Sequence, residues 1–237
     1  MSDSSRPSLL PLGALLAGGL ALGGWFLASS VRHFKDADRY VSVKGLAERD
    51  VAANLAIWPV VFSVAGNDLS QLQTQLERDA ARIEEYLEAR GFGAEEISRS
   101  APRVTDNAPS GAVDGRMPTE RYQVEATVTL RTSKVDAARA AMERSGELVG
   151  KGVRLLRSWE YNTQYFFTDL EKIKPEMIAA ATQDARRAAE KFAQDSGAEV
   201  GGIRRATQGY FSIEDRDPFS PEWKRVRVVT SLDYFLK

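Results

Sequence analysis

A charge-free stretch near the N-terminus constrains this chain more than any other feature. Residues 7–31 contain no charged side chain, and residues 9–27 are almost wholly apolar. An α-helix needs roughly 20 consecutive apolar residues to cross the hydrocarbon core of a bilayer. We therefore predict a membrane anchor or signal segment within residues 1–35, with a membrane helix that includes Leu9, Leu12, Leu15, Leu16, Gly19, Gly23, Trp25 and Phe26.

Two interpretations of this segment stay open. Arg6, the apolar run and the small residues at 28–30 fit a cleaved signal peptide, whereas the length of the run favours an uncleaved anchor. Both interpretations export the rest of the chain. The charges oppose export, because Arg32, Lys35 and Arg39 follow the segment, and the positive-inside rule alone would leave the C-terminal side in the cytoplasm.

Residues 36–237 have the composition of one folded domain. Hydrophobic residues make up 43% of the chain and charged residues 27%, which is ordinary for a globular protein. The net charge of -1 lacks the basic excess of a nucleic-acid surface, so we expect no nucleic-acid partner. The chain has no cysteine and a single histidine, His33, outside this domain. We therefore expect no catalytic residue, no metal site, no cofactor and no enzyme activity.

The apolar periodicity predicts an α+β fold. The predicted order is β-β-α-β-β followed by α-β-α-β-β, with short turns between neighbouring strands. Such an order favours mostly antiparallel sheets with two long helices packed on them. The predicted strands are 40–47, 51–65, 96–105, 121–131, 153–167, 203–213 and 224–236, and the predicted helices are 68–91, 133–148 and 170–196, with a Gly- and Pro-rich loop at 106–119.

Four local features sharpen this prediction. The apolar face changes phase at Trp58 and Pro59, and proline cannot donate a ladder hydrogen bond, so we expect a bulge or bend there. Asn67 and Asp68 are both suited to cap the first long helix, and Gly91 is placed to end it. Residues 133 and 136 resemble a capping box.

The second long helix has two candidate starts. Thr168 and Glu171 could form a capping box, or Pro175 could mark the first turn. Its buried side should consist of Ile178, Ala181, Ala185, Ala188, Ala189 and Phe192.

Three segments resemble the SIMPL family, also called DUF541. They are VSVKG at 41–45 followed by DVA at 50–52, ATQDARRAAEK at 181–191, and GAEVG at 197–201. The resemblance covers roughly residues 40–237 and implies a SIMPL-like soluble domain exported to the bacterial envelope or periplasm. Some members look like builders of ring- or channel-like oligomers, and the family offers no accepted catalytic residues to transfer.

Motifs that carry chemistry are weak in this chain. GFGAEE at 91–96 and GKGVRL at 150–155 begin like a nucleotide-binding turn, but both lack the third glycine. Glu214, Asp215 and Asp217 are adjacent acids, for which a solvated face is favoured over a weak divalent-cation site.

Four aromatic residues are the candidate interface. Tyr210, Phe211, Phe219 and Trp223 flank the loop EDRDPFSPEW. Protein interfaces favour aromatic side chains, although core packing explains strand aromatics equally well. Gly19 and Gly23, four residues apart, would let two membrane helices approach closely, or simply reflect the usual glycine content of such helices.

The sequence thus predicts a non-enzymatic, single-pass protein of the bacterial inner membrane, with its soluble domain in the periplasm. We expect a homo-oligomeric scaffold or interaction module, with an envelope protein as a further partner. Secretion to the periplasm after cleavage is the alternative localisation. The alternative function is an envelope ligand-binding module or a carboxylate-dependent enzyme, which would need a pocket lined by converging acids.

Overall fold

The computed structural model describes residues 18–20, 23–25, 39–107, 120–156 and 161–237. The fold is α+β with antiparallel sheets, which confirms the predicted class. In chain order the elements are β1 (Tyr40–Ala52), β2 (Leu55–Gly66), α1 (Leu69–Glu88), β3 (Ile97–Arg99), β4 (Arg103–Asp106), β5 (Tyr122–Thr132), α2 (Val135–Glu143), α3 (Gly146–Gly150), β6 (Gln164–Phe166), α4 (Leu170–Asp195), β7 (Val200–Asp215) and β8 (Trp223–Leu236).

The chain divides into two units. Unit 1 comprises Met1–Ala47, Pro175–Phe211 and Arg227–Lys237. Unit 2 comprises Glu48–Lys174 and Ser212–Val226.

Unit 2 is built on a five-stranded sheet of order β3-β5-β2-β6, with β4 also paired to β5. Helix α1 packs on β2 and β5. Asp68 caps this helix by accepting hydrogen bonds from Ser70 N at 2.8 Å and Gln71 N at 3.3 Å. Gly91, at φ 85°, follows the helix in the left-handed region, as predicted. The largest fully buried side chains of this core include Phe62, Ile83, Tyr86, Leu87, Leu130 and Leu148.

The bulge predicted at Pro59 is absent. The register between β2 and β5 runs without interruption through Pro59↔Thr129. Val61 O and Ser63 N both bond to residues 154–156, on the side away from β5. Backbone N–H groups of successive residues in a strand point in opposite directions, so the nitrogen of Pro59 points the same way as those of Val61 and Ser63, away from β5. The N–H group that proline lacks therefore removes no hydrogen bond to β5. The buried positions of β2 keep one phase through this point, because Ala56, Trp58 and Val60 are all buried and alternate with half-buried neighbours.

Three other predictions in unit 2 were wrong in detail. The strand at 96–105 is two short strands, β3 and β4, on either side of residues 100–102. The helix at 133–148 is two helices, and the capping box is absent because Lys134 is the N-cap and makes no side-chain cap bond. Of the strand predicted at 153–167, the described residues form a bridge between Leu155 and Phe62 and the short strand β6, and residues 157–160 lie outside the described residues. Residues 108–119 of the predicted loop lie outside the described residues.

Unit 1 combines α4 with parts of β1, β7 and β8. These strands form a three-stranded sheet of order β1-β8-β7. Its pairing is antiparallel: Leu236 N donates to Arg39 O, and Glu199 and Lys237 exchange two backbone hydrogen bonds. The helix packs on the sheet through a cluster of Val43, Ala185, Ala189, Leu232 and Tyr234.

The buried stripe of α4 differs from the predicted one. Its buried residues fall at every fourth position: Met177, Ala181, Ala185, Ala189 and Ala193. Phe192 lies beside this stripe and is 60% exposed, while Ile178 and Ala188 are half-buried. Apart from Met177, the buried stripe therefore consists of alanines, and Phe192 stays largely in solvent.

Helix α4 starts where the predicted range of 170–196 begins, but neither proposed feature of its first turn is observed. The helix begins at Leu170, and Pro175 lies inside it. Thr168 Oγ1 donates a hydrogen bond to Asn54 Oδ1 at 3.1 Å, so its hydroxyl group binds another segment of the chain. Glu171 pairs with Lys174 at 3.2 Å.

Only parts of the predicted membrane segment are described. Residues 18–20 and 23–25 are helical, which includes Gly19, Gly23 and Trp25. Leu9, Leu12, Leu15, Leu16 and Phe26 lie outside the described residues. Among the helices that are described, none is long and apolar enough to cross a membrane. The anchor therefore stays a prediction.

Candidate functional site

The first candidate surface is the unit 1 part of β7. Among the described strands, β7 has β8 as its only neighbour. Residues 202–208 are all exposed, and because side chains alternate along a strand, both faces of β7 are open here. Ile203 is 51% exposed and Tyr210 fully exposed, while Phe211 is half-buried. Strand β7 thus offers a free edge and two uncovered faces.

The opposite edge of the same sheet is blocked at one position. Leu46 N on β1 donates to Asp184 Oδ2 on α4 at 3.0 Å. This hydrogen bond is the main reason that the pKa of Asp184 lies below its usual range, and Arg187, at 2.9 Å, lowers it further. Because the Leu46 amide is already bonded, β1 cannot accept a further strand at that point. Within the described residues of unit 1, β1 is thus blocked at Leu46, whereas residues 202–208 of β7 are all exposed.

Positive charge lies along the open strand. Arg204 and Arg205 are adjacent on β7 and both exposed. The Arg204 guanidinium lies 4.2 Å from the centre of the Tyr40 ring, a cation–π contact that holds this side chain across the sheet.

The second candidate surface is the turn between β7 and β8 in unit 2, which we call the Phe219 hairpin (residues 216–223). Asp217 accepts hydrogen bonds from Arg216 Nε at 3.0 Å and from Phe219 N at 2.9 Å. The bond from Arg216 is the largest cause that lowers the pKa of Asp217. Phe219 is 93% exposed at this tip, and Trp223, 38% exposed, lies under the Arg216 guanidinium at 5.2 Å.

The base of the Phe219 hairpin is fastened to unit 2. Ala53 N donates to Glu222 O at 2.8 Å, and Arg139 Nη1 on α2 donates to Glu222 Oε1 at 3.2 Å. Arg216 N donates to Trp223 O at 2.8 Å and closes the turn. The exposed ring of Phe219 is therefore carried by a fixed support.

The described acidic side chains around this hairpin form ion pairs with neighbouring basic side chains and do not form a group that could hold a metal ion. Asp215 pairs with Lys224, and Asp217 pairs with Arg216. No group of three metal-ligating side chains occurs among the described residues. The carboxylates at 215 and 217 thus pair with neighbouring cations in the hairpin.

A cavity in unit 2 was not apparent from the sequence. It measures about 390 Å³ and no carboxylate occurs in its described lining. We call it the Trp58 cavity. Its described lining consists of Trp58, Pro59, Val60, Val61, Met142, Ser145, Leu155, Leu156, Tyr161, Asn162 and Thr163. The sequence held no local signal for it, because these residues come from β2, the end of α2 and the segments on either side of residues 157–160.

A comparison with protein-family models gives a match. A family model described as SIMPL, a protein of unknown function (DUF541), matches residues 41–230. The matched region runs from the start of β1 into β8. No curated protein matches the chain.

Proposed function

Since the chain belongs to the SIMPL family, whose function is unknown, we propose a function from its surfaces. The protein is a non-enzymatic component of the bacterial cell envelope. Its N-terminal segment anchors it in the inner membrane, and the remainder faces the periplasm. There it acts as a homo-oligomeric scaffold or interaction module.

The open strand β7 carries this proposal. An exposed edge strand presents unpaired backbone groups to other chains, and proteins normally shorten or cover such edges. Strand β7 is 16 residues long, and Ile203 and Tyr210 add exposed apolar area to it. Exposed apolar area next to charged residues is typical of protein interaction sites.

The N-terminal sequence supports the membrane part of the proposal. A charge-free stretch at residues 7–31 is long enough to span a bilayer as a helix. Anchoring would confine the copies to one surface and raise their effective concentration for one another, which favours assembly through modest contacts.

A ligand-binding module is the second candidate function. The Trp58 cavity, at about 390 Å³, has the size of a small-molecule pocket. A carboxylate-dependent enzyme has less support, because the described lining supplies hydroxyl, amide and apolar groups and no acid.

The solution mass of the full-length chain tests the scaffold. The protein would be purified in detergent, and its mass measured by light scattering after subtraction of the detergent, over a range of protein and salt concentrations. We expect a discrete oligomer that persists on dilution. A monomer under all these conditions would overturn the proposal.

Fusion of alkaline phosphatase to Lys237 tests the orientation. The reporter is active only where it can form its disulfides, so activity in intact cells places the C-terminus in the periplasm. The intact mass of the purified chain then distinguishes an anchor from a cleaved signal peptide. An inactive reporter would agree with the positive charges after residue 31 and would contradict the proposed orientation.

A further inference from the structure

One end of unit 1 contains the start of β1, the first strand after the predicted membrane anchor. The end of β8 lies beside it, since Leu236 N donates to Arg39 O at 2.9 Å. The start of β7 is at the same end, because Glu199 and Lys237 exchange two backbone hydrogen bonds. Helix α4 ends at Asp195, only a few residues before that point in the chain. We call this region the Tyr40 end (residues 39–41, 191–201 and 235–237).

We propose that the Tyr40 end rests on the lipid bilayer that holds the anchor, with the rings of Tyr40 and Phe192 among the lipid headgroups. This inference rests on the proposed membrane anchor. It is independent of self-assembly and of the side of the membrane on which the domain lies.

The length of the connecting chain limits the distance between this end and the bilayer. The charge-free stretch ends at residue 31 and β1 begins at Tyr40, so only residues 32–39 separate them. A segment of this length spans at most about 30 Å even when it is fully extended. A surface held so close to a bilayer meets it at a high effective concentration, so contacts of modest strength are sufficient for docking.

Two aromatic rings are exposed at the Tyr40 end, one on each face of the sheet. Phe192 belongs to the last turn of α4, and its side chain is 60% exposed. Tyr40 is 46% exposed. It points away from α4, because side chains alternate along a strand and Val43, three residues further on, packs against that helix. The end of unit 1 thus presents a ring on both sides of the sheet.

The surroundings of these rings suit the headgroup region of a bilayer. Tyrosine is favoured there because its ring is apolar and its hydroxyl group stays wet. The Arg204 guanidinium lies 4.2 Å from the centre of the Tyr40 ring, and Arg39 and Lys237 are exposed close by. Long basic side chains can reach lipid phosphates while their apolar stems lie against the rings.

The charge of the Tyr40 end is nearly balanced. Lys191 is paired with Asp195 at 2.9 Å, and Glu199 adds a further acidic side chain. Attraction to anionic lipids needs a basic excess. We therefore expect the two rings, rather than anionic lipid, to supply most of the binding.

Fluorescent labels on single cysteines measure how close this end lies to lipid, because the chain has no cysteine of its own. Gln194→Cys and Gln183→Cys are matched positions, since both residues are exposed on α4. They lie on the same side of the helix, about three turns and roughly 16 Å apart. The labelled full-length chain is reconstituted into phosphatidylcholine vesicles that contain a lipid with a nitroxide quencher on its headgroup. We expect strong quenching of the label at Gln194 and weaker quenching at Gln183.

Removal of the rings tests whether the tether alone explains this result. We expect the double variant Tyr40→Ala, Phe192→Ala to lose the excess quenching at Gln194. Val149→Ala, which shortens a side chain of unit 2 that is 57% exposed, is the matched control and should leave the quenching unchanged. Addition of phosphatidylglycerol to the vesicles should also change it little.

The outcomes separate docking from anchoring. If the full-length chain does not float with the vesicles in a density gradient, the anchor and the docking are both overturned. If it floats but the two labels are quenched equally, the docking is overturned and the anchor stands. Quenching at Gln194 that persists without the two rings, or that requires phosphatidylglycerol, would overturn their role as the membrane contact.

Discussion

Gly45 shows why glycine and alanine occur where the family resemblance places them. A Cβ atom at Gly45 would lie 1.8 Å from Ala181 O and 2.5 Å from Ala185 N. The backbones of β1 and α4 thus approach each other with no space for a side chain between them. The alanine stripe of α4 and the glycine of β1 are the two sides of one close contact.

Substitution of Gly45 by alanine should destabilise the protein. We expect the free energy of unfolding to fall by about 1–3 kcal/mol, since α4 must move away from the sheet to admit the methyl group. Gly202→Ala is the control, because an added Cβ there meets nothing within 4 Å. Urea denaturation of both variants measures the difference, and equal midpoints would contradict the proposed close packing.

Two buried threonines provide a contrasting pair. Thr230 is 4% exposed, and its hydroxyl has no hydrogen-bond partner in the described structure. Thr132 is 2% exposed, and its hydroxyl donates to Glu96 at 2.5 Å and accepts from Lys134 N at 3.0 Å. A buried hydroxyl without a partner costs free energy, whereas a bonded one stabilises the fold.

Valine substitutions at these two positions should therefore have different effects on the free energy of unfolding. We expect Thr230→Val to leave the free energy of unfolding unchanged or to raise it by about 1 kcal/mol, and Thr132→Val to lower it by about 1–2 kcal/mol. Thermal or urea unfolding distinguishes them. A loss of similar size in both variants would show that the Thr230 hydroxyl does form a bond in solution.

At the level of elements, long periodic segments were predictable and short ones were not. Strand β5 has buried Val124, Val128 and Leu130 at alternate positions, as its sequence predicts. The helix predicted over 133–148 is interrupted after Glu143, where Tyr86 of α1 donates a hydrogen bond to Ala141 O at 2.6 Å. Such a contact between distant segments leaves no trace in local periodicity.

The candidate surfaces also divide into those that the sequence predicted and those that it could not predict. Phe219 and Trp223 could be proposed from the sequence, because aromatic residues beside prolines and charges are unusual in a core, and Tyr210 because it flanks the same loop. The Trp58 cavity and the bond between Leu46 and Asp184 could not, since they join residues far apart in the chain.

The contact between β1 and α4 should make stability depend on pH through Asp184. Its folded-state pKa is lowered, mainly by the hydrogen bond from Leu46 N. The contribution is therefore present above the unfolded pKa of about 3.9 and is lost as the pH falls through the lower folded value. Asp184→Asn retains an acceptor for Leu46 but does not titrate.

Urea unfolding of wild type and Asp184→Asn at pH 7, 5 and 3 measures this contribution. We expect the wild type to be more stable at neutral pH and the difference to shrink as the pH falls below about 4. A difference that is the same at every pH would mean that the carboxylate charge does not stabilise the contact.

At the level of the whole molecule, each unit offers a different means of association. Unit 1 has the open strand β7, and unit 2 has the Phe219 hairpin and the Trp58 cavity. Two separate surfaces of this kind would allow an assembly larger than a dimer, because one surface could join a pair of copies and the other could join the pairs.

Charge substitution on β7 tests the contact in unit 1 separately. We expect the double variant Ile203→Lys, Tyr210→Lys to reduce the mass of the full-length oligomer, because lysine on an edge strand opposes pairing with another strand. Val104→Lys, which changes an exposed apolar residue of β4, should leave the mass unchanged. Circular dichroism should be the same for all three proteins, since these side chains are exposed. If the double variant retains the wild-type mass, β7 is not a contact between copies, and assembly must depend on unit 2 or the membrane segment. If its mass falls to that of a smaller discrete oligomer, β7 is one contact between copies and another surface of the chain supplies a second.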